Sequence, residues 1–269
     1  MDVMKKVCDT LNANKALSYE RKVEILDLVY DFHKEYSTIS LDNLCQKLRF
    51  LKVENGSKFC YPDAIQYSPL ENKIIINREK EATMQTDRRQ TMMKALLAVI
   101  TSKSINYGFN GNSRLDALNE GFSDILANNL TAENRVQSSY DGERFRSDYE
   151  DEQILVNFIG KAVGFETFKQ AFFENKPEIL METLLRKCSS PENLNSWLER
   201  TNNNMKTRRN TGESKLFSIQ GEAMKMFEYD KSYIMSRELM EAGTPIKYSD
   251  YDKIEALLKE QARQWSRGR

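Results

Sequence analysis

The sequence of 269 residues has a single histidine, His33, and four widely spaced cysteines with no CxxC pair. Zinc sites built from imidazole and thiolate need several such ligands at short spacing, so this composition excludes the usual ones. We interpret His33, near the end of a predicted helix, as structural. The cysteines are predicted to be reduced, mostly buried thiols. They are Cys8, Cys45, Cys60 and Cys188.

Net charge and long apolar runs are also lacking. Lysine plus arginine number 40, as do aspartate plus glutamate, so no global field attracts nucleic acid or an anionic membrane. No run of apolar residues is long enough to span a bilayer, and the stretch after Met1 lacks the apolar region of a secretory signal. We therefore expect a cytoplasmic globular protein with no membrane partner.

The first 54 residues predict helices. Ser18 and Ser40 each fit an N-cap, because a serine side chain can accept a hydrogen bond from the first turn of a helix. Apolar stripes at helical spacing follow both caps. They comprise Val23, Leu26, Val29 and Phe32 in one helix, and Leu41, Leu44, Leu48 and Leu51 in the next.

A short β region follows Asn55-Gly56. Strands are predicted over Phe59–Tyr67 and Lys73–Asn77, since the β-branched run at 74–76 fits a strand buried on both faces. Residues 68–72 between them have turn chemistry. The sheet is expected to be small, antiparallel or mixed, with one clear hairpin. The fold class is therefore α+β, mostly α.

Two helices form the centre of the predicted fold. The first begins at Thr86 or Asp87, and its large apolar residues extend to Ile100. A loop over residues 107–112 leads to the second, which Ser113 caps and which continues to Leu130. We expect the sheet to pack on this helix pair, with further helices added at both ends.

Beyond the helix pair, residues 131–148 predict a polar surface excursion, and several amphipathic helices follow. Residues 201–214 are polar, rich in asparagine and without apolar anchors, which predicts a mobile loop or linker. The predicted units are an N-terminal helical segment (1–54), a core (55–200), this loop or linker (201–214) and a C-terminal helical extension (215–269).

The second central helix has an unusual polar face. Opposite its apolar stripe lie Glu120 and Asp124 together with small residues such as Gly121, and no lysine or arginine lies between residues 114 and 135. Glycine inside a helix costs about 1 kcal/mol relative to alanine, so it indicates close packing. The first helix has small residues at Ala98 and Ser102. Close packing around Glu120 is expected, with a solvated face as the alternative.

The segment Asn119–Asp124 (NEGFSD) resembles the N-E-x-x-[ST]-[DE] segment of the gluzincin, thermolysin-like metallopeptidases. The resemblance extends over roughly residues 55–190 and implies a zincin-like core. It also implies that Glu120 stands at the position of the third zinc ligand. Asp124 would then be the acid that supports a ligating histidine.

The sequence departs from this family where the family has H-E-x-x-H. Ala98 and Ser102 stand at the histidine positions and Val99 at the position of the general base, with 17 residues between Ser102 and Glu120. Hydrolysis by this mechanism needs a metal and a base. The resemblance therefore implies a degenerate, non-catalytic member, a pseudoenzyme with no metal or cofactor.

Three functions follow as hypotheses. A metallopeptidase-like domain without its metal can still bind a protein or peptide partner as an added strand. Alternatively, Glu120 and Asp124, with Asp116, could hold Mg²⁺ or Ca²⁺ in an enzyme or a binder. The third hypothesis is weak nucleic-acid binding through basic residues. These are Lys206, Arg208, Arg209 and the tail at 263–269 with Trp265.

Overall fold

The computed structural model describes residues 3–56, 63–82, 87–131 and 149–227. Its helices are Val3–Ala13 (α1), Tyr19–Glu35 (α2), Asp42–Leu48 (α3), Arg78–Glu81 (α4), Arg88–Thr101 (α5), Asp116–Thr131 (α6), Glu150–Val163 (α7), Phe165–Glu174 (α8), Pro177–Lys187 (α9), Pro191–Thr211 (α10) and Leu216–Met226 (α11). Its strands are Lys52–Asn55 (β1), Ile65–Ser68 (β2) and Lys73–Ile76 (β3). The α+β, mostly α class is confirmed.

The three strands form one mixed sheet in the order β1-β3-β2. β2 and β3 form the predicted hairpin, with Ile65 opposite Ile76, and β1 runs parallel to β3. Asn72 in the turn has φ 48°, a left-handed conformation that asparagine tolerates. The part of the predicted first strand at 59–62 lies outside the described residues.

Strand β1 corrects the prediction that residues 1–54 are helical. In Lys52–Asn55 only Val53 is partly buried and the other three residues are exposed, so the strand lacks the usual alternation of buried and exposed positions. What makes it a strand is pairing with β3, which no local pattern reveals.

In helix α2 the cap is confirmed, but the predicted apolar face is partly wrong. Ser18 accepts a hydrogen bond from the Arg21 amide. The buried residues are Ile25, Leu28, Val29 and Phe32. Val23 is 48% exposed, and Tyr19 and Tyr30 are exposed as well. Helix α2 has apolar residues on two faces, and periodicity alone could not decide which one faces the core.

Asn14 fastens the end of α1 to the end of α3. Its buried side-chain amide donates to the carbonyls of Leu48 and Leu51, at 2.7 and 2.9 Å. Its oxygen accepts from the amides of Ala16 and Leu17. The predicted stripe of four leucines in and around α3 is buried, as expected.

The prediction of a loop or linker at 201–214 is wrong for residues 201–211, which continue helix α10. Two of the asparagines that suggested a loop, Asn202 and Asn204, are buried. Asn202 donates to the carbonyls of Ser113 and Arg114, at 2.8 and 3.1 Å, and accepts from the Ala117 amide. The helix ends at Gly212, with φ 77°. The Asn202 side chain is therefore satisfied by backbone groups at 113–117, where α6 begins.

The core lies where α5, α6 and α7 pack together and β2 contacts α5. Four fully buried phenylalanine rings fill its centre. They are Phe109, Phe122, Phe168 and Phe172. Across the described ranges, no helix has both the length and the apolar character needed to cross a membrane. Some predicted segments lie outside the described residues. They are the polar excursion at 131–148 from residue 132 on, the helices and the basic tail after residue 227, and Cys60. The other three cysteines are free thiols, as expected.

Candidate functional site

A small cavity of about 40 Å³ lies between strand β2 and the central helices α5 and α6. The side chains that give it chemical character are ionisable or aromatic. They are Asp63, Lys94, Tyr107, Glu120, Asp124 and Tyr149, with Ala98 and residues 65–67 of β2 also in the wall. The described elements thus bring Ala98, Glu120 and Asp124 to one place.

Close packing of α6 on α7 fixes the position of Glu120. A Cβ atom on Gly121 would lie 2.5 Å from both the carbonyl carbon and the oxygen of Glu152, and 2.9 Å from the Gln153 nitrogen. The glycine is therefore required for this approach. Close packing at this face is confirmed, although the close contact of Gly121 is with α7 and not with the first central helix. The solvated face is wrong, because Asp124 is buried and the Glu120 side chain is 15% exposed.

Glu120 is held by an ammonium group and a phenol. Its Oε2 atom lies 2.8 Å from Lys94 Nζ, and its Oε1 atom accepts a 3.0 Å hydrogen bond from the Tyr107 hydroxyl. Burial acts to raise the pKa of Glu120, but Lys94, with help from Arg209 and Tyr107, outweighs burial and leaves that pKa below its ordinary value. The charge of Glu120, together with burial, raises the pKa of Tyr107 well above its ordinary value, so the phenol stays a donor.

Tyr149 connects this inner pair to a second pair nearer the surface. Lys94 Nζ lies 3.1 Å from the centre of the Tyr149 ring, and the guanidinium carbon of Arg209 lies 4.4 Å from it. The Tyr149 hydroxyl donates to Asp63 Oδ1 at 2.8 Å, and Arg209 Nη2 lies 2.9 Å from the same oxygen. Burial raises the pKa of Asp63, with Glu120 adding to the effect and Arg209 and Lys94 opposing it.

Asp124 accepts hydrogen bonds from two side-chain amides. Its Oδ1 atom accepts from Gln90 Nε2 at 3.3 Å, and its Oδ2 atom accepts from Gln153 Nε2. Both partners are buried. The carboxylate therefore joins α5, α6 and α7, which is a packing role for this side chain.

The positions at which the sequence departs from H-E-x-x-H do not form one cluster. Ala98 lines the cavity, whereas Val99 is fully buried in the hydrophobic core. Helix α5 ends at Thr101, and Ser102 is its C-cap, with its hydroxyl donating to the Val99 carbonyl at 3.1 Å. Thr101 donates to Leu97, so neither hydroxyl serves Glu120.

Comparison with known proteins identifies no family for this chain. No protein-family model matches the chain, and no curated protein or solved structure matches it either. The assignment of function therefore depends on the geometry of the cavity.

Sequence reasoning missed Lys94, Tyr107 as a specific partner, Tyr149, Asp63 and the role of Arg209. Lys94 could have been found, because it precedes Ala98 by one helical turn and so lies on the same face of α5. Arg209 could not, since its partner Asp63 is 146 residues away.

The structure also bears on the two alternative functions, a Mg²⁺ or Ca²⁺ site and nucleic-acid binding. Within the described ranges, no group of three or more histidine, cysteine or acidic side chains is placed to hold a metal ion. Burial and the charge of Glu120 raise the pKa of Asp116 to about 6. In the basic segment, Arg208 lies 2.8 Å from Glu152 and Arg209 pairs with Asp63. Two of its cations are therefore engaged within the chain.

Proposed function

We propose that the chain is a non-catalytic binding module that takes up an extended peptide along the open edge of strand β2. The observation that carries this proposal is the position of the cavity, whose wall includes residues 65–67 of the strand at the end of the described sheet. An edge strand offers unpaired amides and carbonyls to an added strand.

The register predicts which groups of β2 face outward. The Asn77 amide donates to the Ala64 carbonyl at 2.8 Å, so Ala64 and Asn77 form a hydrogen-bonded pair. In an antiparallel ladder such pairs alternate with pairs whose backbone groups point away from the partner. Ile65 and Tyr67 therefore direct their amides and carbonyls to the open edge. Gln66 and Ser68 direct theirs to β3.

We further propose that this module is a degenerate metallopeptidase-like domain. The predicted order of hairpin, helix, loop and helix supports the idea, as does the presence of Ala98 and Glu120 on one cavity. Beside Glu120 stands the ammonium group of Lys94, which neutralises the carboxylate that would otherwise need a metal. Neither Ala98 nor Val99 offers a ligand or a base, so the proposed role is binding rather than hydrolysis.

The test selects peptides from a displayed library of random heptapeptides and measures backbone amide exchange by NMR. On binding of a selected peptide, we expect slower exchange at Ile65 and Tyr67 and little change at Gln66 and Ser68, whose amides already face β3. Failure to select any peptide would contradict the proposal, as would a bound peptide that leaves both outward amides unprotected. Cleavage of the peptide by the chain supplied with zinc would contradict the non-catalytic part.

A further inference from the structure

Arg209 occupies a site formed by the side chains of Asp63 and Tyr149, which line the cavity. Its guanidinium group lies 2.9 Å from the Asp63 carboxylate and over the face of Tyr149, whose hydroxyl donates to the same carboxylate oxygen. A carboxylate beside an aromatic face is a common way to bind a guanidinium or ammonium group. The arrangement is thus a built cation site with an internal occupant.

This occupant is less enclosed than the inner ion pair. The side chains of Arg209 and Asp63 are 23% and 24% exposed, against 14% for Lys94. Arg209 also lies two residues before the end of α10. Its long side chain can therefore turn toward solvent without passing through the core.

Asp63 lies two residues before Ile65, where the edge strand begins, and it lines the same cavity as residues 65–67 of that strand. A peptide added along β2 and continuing past Ile65 would bring a side chain to Asp63. If Arg209 left, the cavity wall would hold the carboxylates of Asp63 and Glu120 beside the ammonium group of Lys94, with Lys80 also acting on Asp63. The position would then favour a cation from the ligand.

We propose that Asp63 and Tyr149 form a subsite for a cationic side chain, which Arg209 occupies in the free chain and an arginine or lysine of the bound peptide takes over. This inference rests on the proposed function for its ligand, but the cation site itself can be tested alone. An occupant attached to the protein competes at high effective concentration, so it weakens the binding of every basic peptide.

The first experiment asks whether a free guanidinium ion can replace the missing side chain. Thermal unfolding is measured for R209A, R209Q and the control R200A, with and without about 10 mM N-methylguanidinium. Arg200 lies on the same helix in an exposed ion pair with Glu222, so it controls for the loss of an arginine. We expect the ion to raise the Tm of R209A or R209Q by roughly 3 °C more than that of R200A. Equal shifts in all three variants would overturn the cation site.

The second experiment compares two peptides that differ only in one residue, arginine or its neutral analogue citrulline. We expect R209A to bind the arginine peptide about tenfold more tightly than the unsubstituted chain does, while the citrulline peptide is unaffected. Equal gains for both peptides would overturn the competition. If neither peptide binds any variant but N-methylguanidinium still stabilises R209A, the peptide function fails and the cation site stands.

Discussion

Substitution of Gly121 by alanine tests the packing that positions the cavity. The added Cβ would lie 2.5 Å from the carbonyl carbon and oxygen of Glu152, which are backbone atoms of α7. Because no side-chain rotation relieves such a contact, α6 and α7 must separate by nearly an ångström. Gln153 would move with α7, and its hydrogen bond to Asp124 would be strained as a result.

Two opposing terms set the magnitude of this effect. Alanine is favoured over glycine inside a helix by about 1 kcal/mol. Overpacking of a close helix contact costs up to about 3 kcal/mol, and the upper value applies because backbone meets the new methyl group. We therefore expect G121A to lower the free energy of unfolding by about 2 kcal/mol.

Helix α11 supplies a matched control for this substitution. Gly221 also lies inside a helix, and a Cβ there would meet nothing within 4 Å. G221A should therefore keep the propensity gain and raise the free energy of unfolding by about 0.5–1 kcal/mol. Urea denaturation followed by circular dichroism measures both variants. A G121A variant as stable as G221A would refute the close contact between α6 and α7.

Three other substitutions give sharp expectations. K94M leaves Glu120 without its cation and should lower the free energy of unfolding by about 3 kcal/mol in urea denaturation. The double variant K94M/E120Q should recover most of this loss, and a double variant no more stable than K94M would contradict the ion pair. Burial raises the pKa of Glu152 to about 7 from 4.5, so its contribution to stability is fully present below pH 4.5 and is lost as the pH rises through about 7. E152Q should flatten that part of a Tm-against-pH curve, and an unchanged slope would show that another group is responsible. N14A removes four hydrogen bonds, three of them buried, and should lower the unfolding free energy by about 3 kcal/mol. N12A, at an exposed position near the end of α1, should leave it nearly unchanged, and equal losses would argue against the role of Asn14.

Local patterns predicted much of the fold. The Ser18 cap, the hairpin with Asn72 in its turn and the close packing at Gly121 each depend on residues near in sequence or on one helix face. Caps, turns and close helix contacts of this kind can be predicted from residue type and spacing alone. For the same reason the sequence predicted that the face with Glu120 and Asp124 is packed against another element.

Patterns failed where distant segments decide the structure. Lys52–Asn55 becomes a strand because β3 is available to pair with it. The polar residues at 201–211 are helical because Asn202 finds backbone partners near the start of α6. The partners of the cavity were missed for this reason too, since Arg209 and Asp63 meet only in the folded chain.

Helix α10 continues across position 200, where a boundary between units was predicted, and it delivers Arg209 to a site begun 146 residues earlier. During synthesis at about 5–20 residues per second, roughly 7–30 s pass between the addition of Asp63 and that of Arg209. Over that interval the nascent chain has Asp63 but not the arginine that pairs with it. The cation site around Asp63 and Tyr149 can therefore be completed only after most of helix α10 has been made, so this part of the fold closes late in synthesis.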